Sequence, residues 1–224
     1  MPDFQIGLYW KARPEELTLF VQNVYNTLKF LQSFNELFNS WYGLAMSKKK
    51  ALERGISIDI TFLMKLIEKK HKLHSDSDLS FSAWNGHDDD KGASLSISTS
   101  SSTLFPSCFI FDFPEILVHS DGSSESDLIH LLKNLSAIWQ PDYGTVFTNE
   151  SMNLLIDEDR RARLFGGIFF LSNSIIPQSD DLKKFTLADK NRFGNIYSLA
   201  GWCASPNDHN SILLISNLDK SLKL

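Results

Sequence analysis

The sequence predicts an α+β protein, a single domain over residues 1–224 in which a largely antiparallel β-sheet is covered by amphipathic helices. Three observations predict it. In Leu79, Phe81 and Ala83 against Ser80 and Ser82, and in Leu95, Ile97 and Thr99 against Ser94, Ser96 and Ser98, larger residues alternate with serine at period two. A third run, Cys108 to Phe113, follows Pro106 and puts Phe109, Phe111 and Phe113 on one face, so three strands succeed one another. Elsewhere apolar residues recur at three and four, the spacing of helices with one apolar stripe. The first two strands are joined by Asn85-Gly86-His87-Asp88-Asp89-Asp90-Lys91-Gly92, with glycine at both ends for the positive φ of a reversal.

From the start of the chain, Phe4 to Trp10 reads as a strand. Pro14-Glu15-Glu16 then opens a helix, with proline in the first turn and acids at the positive dipole end. Leu17, Phe20, Val21, Val24, Leu28 and Leu31 form its inner stripe. Ser33 to Tyr42 is predicted as a second short helix, with Phe34, Leu37, Phe38 and Trp41 on one side and Gly43 as its stop. Asp59 caps the next helix, whose stripe is Ile60, Leu63, Met64 and Ile67 and whose last turn is basic through Lys69, Lys70 and Lys72.

After the three strands, Ile116 to Ser126 reads as a loop, and Ser124-x-x-Asp127 resembles a capping box for a helix with Leu128, Leu131, Leu132 and Leu135 inside, ending near Trp139. Pro141 to Gly144 reads as a turn, Asn149 to Ile156 as a short segment with a helix cap at Thr148 or Asn149, and Asp157 to Arg161 as a mixed-charge hinge. Phe165 to Leu171 is a continuous apolar run, expected as a strand covered on both faces whose two glycines mark close backbone approach. Ser174 to Lys184 is a polar loop and Asn195 to Trp202 a last strand. Ser205 to Asp208 starts a C-terminal helix with Leu214, Ile215, Leu218 and Leu222 inside, although Ile212 to Ile215 also fits the start of a strand.

With 22 Lys and Arg against 27 Asp and Glu, the formal charge of −5 argues against a nucleic-acid binder and permits a basic partner. The 17 Phe and 5 Trp suit a thick core and a few surface anchors, and exposed members would serve self-association as a homodimer or capture of a partner. Of the two cysteines, Cys108 lies in an apolar run where a thiol acts as a small buried hydrophobe, and pairing with Cys203 is unnecessary. The first residues lack a basic region followed by an apolar stretch, and no run reaches the eighteen or so apolar residues of a membrane span, so the expected compartment is the cytoplasm.

Phosphate-binding glycine loops, a nucleophile elbow, paired Cys-x-x-Cys motifs and calcium-loop spacing are all missing from the sequence, and no cofactor is implied. Ser47-Lys48-Lys49-Lys50 matches S-x-x-K in form without its companion motifs and reads as a solvated charge run. His71 and His74, three apart on a helix, lack a carboxylate or thiol at ligand spacing. A loose nuclease pattern remains in Asp142, Asp181 and Lys183, two carboxylates for Mg²⁺ and a lysine to polarise water, but these residues fall in turns and loops rather than on converging strands. Asp88, Asp89 and Asp90 form an acidic tip beside Trp84, where negative charge would speed encounter with a basic protein and the indole would supply an anchor.

A series of short markers runs through the chain in order: Gly7-Leu8-Tyr9-Trp10, Leu79 through Gly86, Ala93 through Ile97, Phe111-Asp112-Phe113-Pro114, Trp139-x-Pro141-Asp142-Tyr143 and Phe165 through Leu171. On these the chain resembles the immunity protein 52 family of bacterial polymorphic toxin systems. It departs from that family's pattern at Tyr143 and Gly167, where a tryptophan is usual. The resemblance implies an α+β immunity protein that binds and neutralises a cognate toxin, often a DNase of restriction-endonuclease fold delivered by type VI secretion, and it carries no catalytic residues. The leading expectation is therefore a non-enzymatic inhibitor acting by one-to-one binding, with Trp84, Asp88, Asp89 and Asp90 as candidate contacts and Asp157, Glu158 and Asp159 as a second acidic group. The alternatives are the Mg²⁺-dependent nuclease and a non-catalytic scaffold.

Overall fold

A computed structural model describes residues 4–74, 78–101, 106–119, 124–156, 163–175, 180–204 and 208–222. The fold is α+β, with antiparallel sheet covered by amphipathic helices. In chain order the elements are β1 (Phe4–Trp10), α1 (Leu17–Phe34), β2 (Trp41–Tyr42), α2 (Lys48–Leu52), β3 (Gly55–Ile56), α3 (Ile60–His74), β4 (Ser80–Trp84), β5 (Ser94–Ser98), β6 (Ser107–Asp112), α4 (Glu115–His119), α5 (Ser124–Trp139), β7 (Tyr143–Thr148), α6 (Asn149–Leu155), β8 (Ile168–Ser172), β9 (Thr186–Asn191), β10 (Gly194–Ser198) and α7 (His209–Ser221). Contacts group them into two compact units, residues 9–114 and residues 1–8 with 115–224.

In the unit of residues 9–114 the strands run in the order β3-β2-β4-β5-β6. The alternation seen in the sequence fixes the register: Phe81 pairs with Ile97 and Ile97 with Phe109, while Ala83 pairs with Leu95 and Leu95 with Phe111. These two rows are buried, and on the opposite face Ser82 and Ser96 bring their hydroxyls to 3.3 Å. A one-residue slip would turn every apolar residue of a strand outward, so the pattern allows one pairing. Helix α1 packs against α3 and buries Phe20, Val21, Val24, Leu28 and Leu31, while α3 packs on β4 and buries Leu63 and Ile67.

Two expectations change in this unit. Helix α1 begins at Leu17 with Glu16 as a cap that makes no side-chain bond, so Pro14 and Glu15 precede the helix; Glu15 instead pairs with Arg13 at 3.2 Å. The second short helix does not form. Asn35 is extended and its side chain accepts from the Leu37 N–H at 3.0 Å, which ends α1 and allows only a 3₁₀ turn over Glu36–Phe38 before Trp41 and Tyr42 enter the sheet. Phe38 still reaches the core, edge-on to Phe111 at 5.6 Å. Lys48 to Leu52 is a short helix capped by Ser47. In the unit of residues 1–8 with 115–224, the segment expected as a loop from Ile116 contains α4 instead.

In the other unit the strand order is β1-β7-β8-β10-β9, and α5 lies against β7, β8, β9 and β10 through the fully buried Leu128, Leu131, Leu132 and Leu135. Strand β8 is buried from Ile168 to Leu171, as its apolar run predicts. The turn placed at Pro141–Gly144 lies earlier, at Gln140 with φ 48°, and Tyr143 and Gly144 belong to β7. Gly144 marks a close approach rather than a reversal, because a Cβ there would lie 2.6 Å from a Leu8 methyl group. Strand β10 stops at Ser198, and Trp202 sits in a 3₁₀ turn after Gly201. There Trp202 occupies the space over Gly167, whose Cβ would meet its Cγ at 2.4 Å, so a tryptophan at 167 would compete for the same volume. Strand β9 falls in a stretch where no element was expected, between the polar loop and β10; it is a charged edge strand tied to α5 by Asn191 to Ser136 at 3.0 Å and Asp189 to Lys133. Thr148 caps α6 through a reciprocal bond with Ser151, and Asp208 caps α7.

Helix α7 is held by Asp219, whose Oδ1 accepts the backbone N–H groups of Leu164 at 2.8 Å and Arg163 at 3.0 Å. Burial pushes its carboxyl above the usual carboxylate range, against the opposing pull of those two N–H groups and of the Arg163 charge. With the folded value raised, the stability this group contributes is fully present below the ordinary carboxylate pKa of about 4 and is lost as pH rises through the folded value. Asp219→Asn keeps the accepting oxygen and removes the buried charge, so it is expected to match or exceed wild-type stability at pH 7 and to flatten that pH dependence. Asp219→Ala leaves two N–H groups unpaired and is expected to cost about 2 kcal/mol in urea unfolding. Equal losses for the two variants would contradict this.

Candidate functional site

The acidic turn between β4 and β5 is built around Asn85, which is 1% exposed. Its Nδ2 donates to the carbonyls of Lys91 at 2.9 Å and Leu37 at 3.3 Å, and its Oδ1 accepts from the N–H groups of Ala93 at 2.9 Å and His87 at 3.2 Å. Both hydrogens and both lone pairs of the amide are thus used, which pins the turn to the strand ends and to the segment after α1. Gly86 has φ +85° and packs under Tyr42, whose Cε2 would lie 2.6 Å from a Cβ. The second positive φ is at Asp89, 53°, and not at Gly92, which is ordinary at −64°. Aspartate tolerates the left-handed region because its short polar side chain bonds locally.

The candidate contacts divide in two. Trp84 is half-buried: its indole N–H donates to the His87 carbonyl at 2.7 Å and its ring lies 6.3 Å from Tyr42. Lys48 stands over that ring at 5.9 Å and pairs with the Asp88 carboxylate. Asp89 and Asp90 are exposed and have no ion-pair partner among the described residues. Charge available to a partner therefore resides in Asp89 and Asp90, while Asp88, Lys48 and Trp84 form an internal cluster. Asp157, Glu158 and Asp159 lie outside the described residues.

Two of the three residues of the alternative nuclease set are in ion pairs with their own neighbours in sequence. Lys183 pairs with Asp180 at 2.6 Å and Asp181 with Lys184 at 2.7 Å, while the Asp142 carbonyl accepts from the Ser172 N–H at 3.0 Å. Among the described residues no group of three His, Cys, Asp or Glu is placed to hold a metal ion. His71 is on α3 with its Nδ1 buried and without a hydrogen bond among the described residues; the side chain of His74 lies outside them. Both cysteines are free, and burial raises both thiols, Cys203 to about 12 with help from the Glu125 charge.

A cleft of about 630 Å³ opens in the unit of residues 9–114, with Leu44, Ile56, Phe62, Leu66, Lys69 and Lys70 among the residues that line it. Leu44 is 57% exposed, and Phe62 and Leu66 are each 38% exposed. These three side chains share one cleft rather than being scattered singly over the surface. The core stripe assigned to α3 concealed this: Leu63 and Ile67 are buried, but Ile60 is 41% exposed. The available signal was Phe62 with Leu66, an i,i+4 apolar pair lying off that stripe.

A family model described as immunity protein 52 matches residues 3–176. Among solved structures the chain is similar to "Pseudomonas aeruginosa T6SS protein PA0821", with 12% sequence identity, a TM-score of 0.54, and coverage of 98% of this chain and 73% of that one. At that identity the likeness concerns the fold. No curated protein matches.

Proposed function

We propose that this chain, which belongs to the immunity protein 52 family, binds a cognate secreted toxin and neutralises it by direct one-to-one contact. The observation that carries the reading is the family match across residues 3–176. An immunity role also accounts for a surface with a rigidly held acidic turn and an apolar cleft. The toxin is a nuclease in this reading, because a protein with Asp89 and Asp90 displayed on an ordered turn suits a partner whose working surface is cationic to receive phosphates. Delivery of the toxin by type VI secretion is supported by the name of the structural neighbour. Protection of DNA places the protein in the cytoplasm; no helix among the described residues is long and apolar enough to cross a membrane.

Co-expression tests the reading. Cells making a cognate toxin should survive when this protein is made and die when it is not, and death in both cases would refute it. The contribution of the turn has a separate test. Changing Asp88, Asp89 and Asp90 together to Lys is expected to slow association with the toxin about tenfold at low salt, with the difference shrinking as salt is raised. Unchanged kinetics would remove the turn from the interface.

A further inference from the structure

We infer that the cleft between β2–β3 and α3 is the docking groove for an acidic, apolar-bearing segment of the toxin, an inference that rests on the immunity reading. Six of the eleven exposed large apolar side chains among the described residues fall between residues 44 and 66: Leu44, Met46, Leu52, Ile60, Phe62 and Leu66. This concentration coincides with a reversal of charge. The chain as a whole is acidic, yet residues 44–72 carry eight Lys and Arg against three Asp and Glu. Lys48 is committed to Asp88 and Lys72 to Glu68, and the Arg54 guanidinium bonds the Leu44 carbonyl at 2.9 Å. Lys65, Lys69 and Lys70 have no acidic partner among the described residues, and the last two line the cleft.

An apolar cleft with an uncompensated cationic rim is complementary to one or two large apolar side chains flanked by carboxylates. A volume of about 630 Å³ admits such side chains while the rim lysines reach the flanking charges. The same rim repels the cationic surface that a nuclease turns toward DNA, so the groove engages a different stretch of the toxin from the one that the acidic turn meets. Two opposite charges, on the turn and at the groove, also fix the orientation in which the partner docks.

The test uses the full chain and the toxin that it protects cells against in co-expression, purified in an inactivated form, with affinity measured by calorimetry at low and high salt. Lys69→Glu combined with Lys70→Glu is expected to weaken binding at least tenfold, less so at high salt, whereas Lys69→Arg with Lys70→Arg retains it. Leu66→Glu is expected to weaken binding at both salt concentrations, while Leu213→Glu, on an exposed residue of α7, leaves it unchanged. All these positions are exposed, and matching circular dichroism and melting curves establish that each variant is folded. If wild type binds and the groove variants bind as well as it does, or if the Lys→Glu pair binds more tightly, the groove assignment is wrong while the immunity reading stands. If wild type itself neither binds nor protects, both fall.

Discussion

Asn85→Ala is expected to lower stability by about 3 kcal/mol, a drop in Tm of roughly 6–12 °C for a chain of this size, and to weaken toxin binding beyond what lost stability explains. The side chain is buried and saturates four hydrogen bonds that tie the turn to both strand ends and to the segment after α1. Removing it strands the buried Ala93 N–H without a partner, at about 1–3 kcal/mol, and releases the Lys91, Leu37 and His87 groups that hold the turn in place. Asn85→Asp should not rescue, since it keeps the acceptors but deletes the donors and buries a charge. A loss below about 1 kcal/mol in urea unfolding would show that the turn is held by its strands alone.

Gly166→Ala is expected to be the more damaging change, with little folded protein recovered at 37 °C. A Cβ at Gly166 would sit 1.7 Å from the Val146 carbonyl oxygen and 2.7 Å from Cη2 of Trp202. The first obstacle is backbone of β7, and the ring of Trp202 is itself 1% exposed, so neither can yield cheaply. Overpacking of this kind exceeds the usual 1–3 kcal/mol of an added methylene, because the displaced atom belongs to a strand. Gly55→Ala on β3 is the control: nothing lies within 4 Å of its Cβ, and its Tm should stay within about 1 °C of wild type. Comparable losses in the two variants would remove the close-approach explanation.

How much of this was legible in the sequence depends on what carried each feature. Strands β4, β5 and β6 were readable because Phe81, Ala83, Leu95, Ile97, Phe109 and Phe111 alternate with small or polar residues, and burial on one face demands that period. Helix α5 and strand β8 were readable for the same reason, through four leucines on one face and an unbroken apolar run. Where a polar side chain or a tertiary neighbour decided the backbone, the signal failed. Asn35 ended α1 by a bond to Leu37, Gly144 looked like a turn residue but yields room to Leu8, and β9 is polar because it lies at an edge. The acidic turn was located correctly, but only packing shows that Lys48 takes Asp88 and that Trp84 is tied to His87. The cleft was missed altogether, since the lysines that rim it resembled a dipole-favoured helix end and Phe62 and Leu66 resembled stray core.

The central claim is that neutralisation is stoichiometric and direct, and titrating the purified toxin module with this protein while following cleavage of plasmid DNA tests it most directly. The account predicts that cleavage falls linearly with added protein and ends at one equivalent, with a one-to-one complex recovered by size exclusion. Cleavage that persists at large excess, with the two proteins eluting apart, would contradict it.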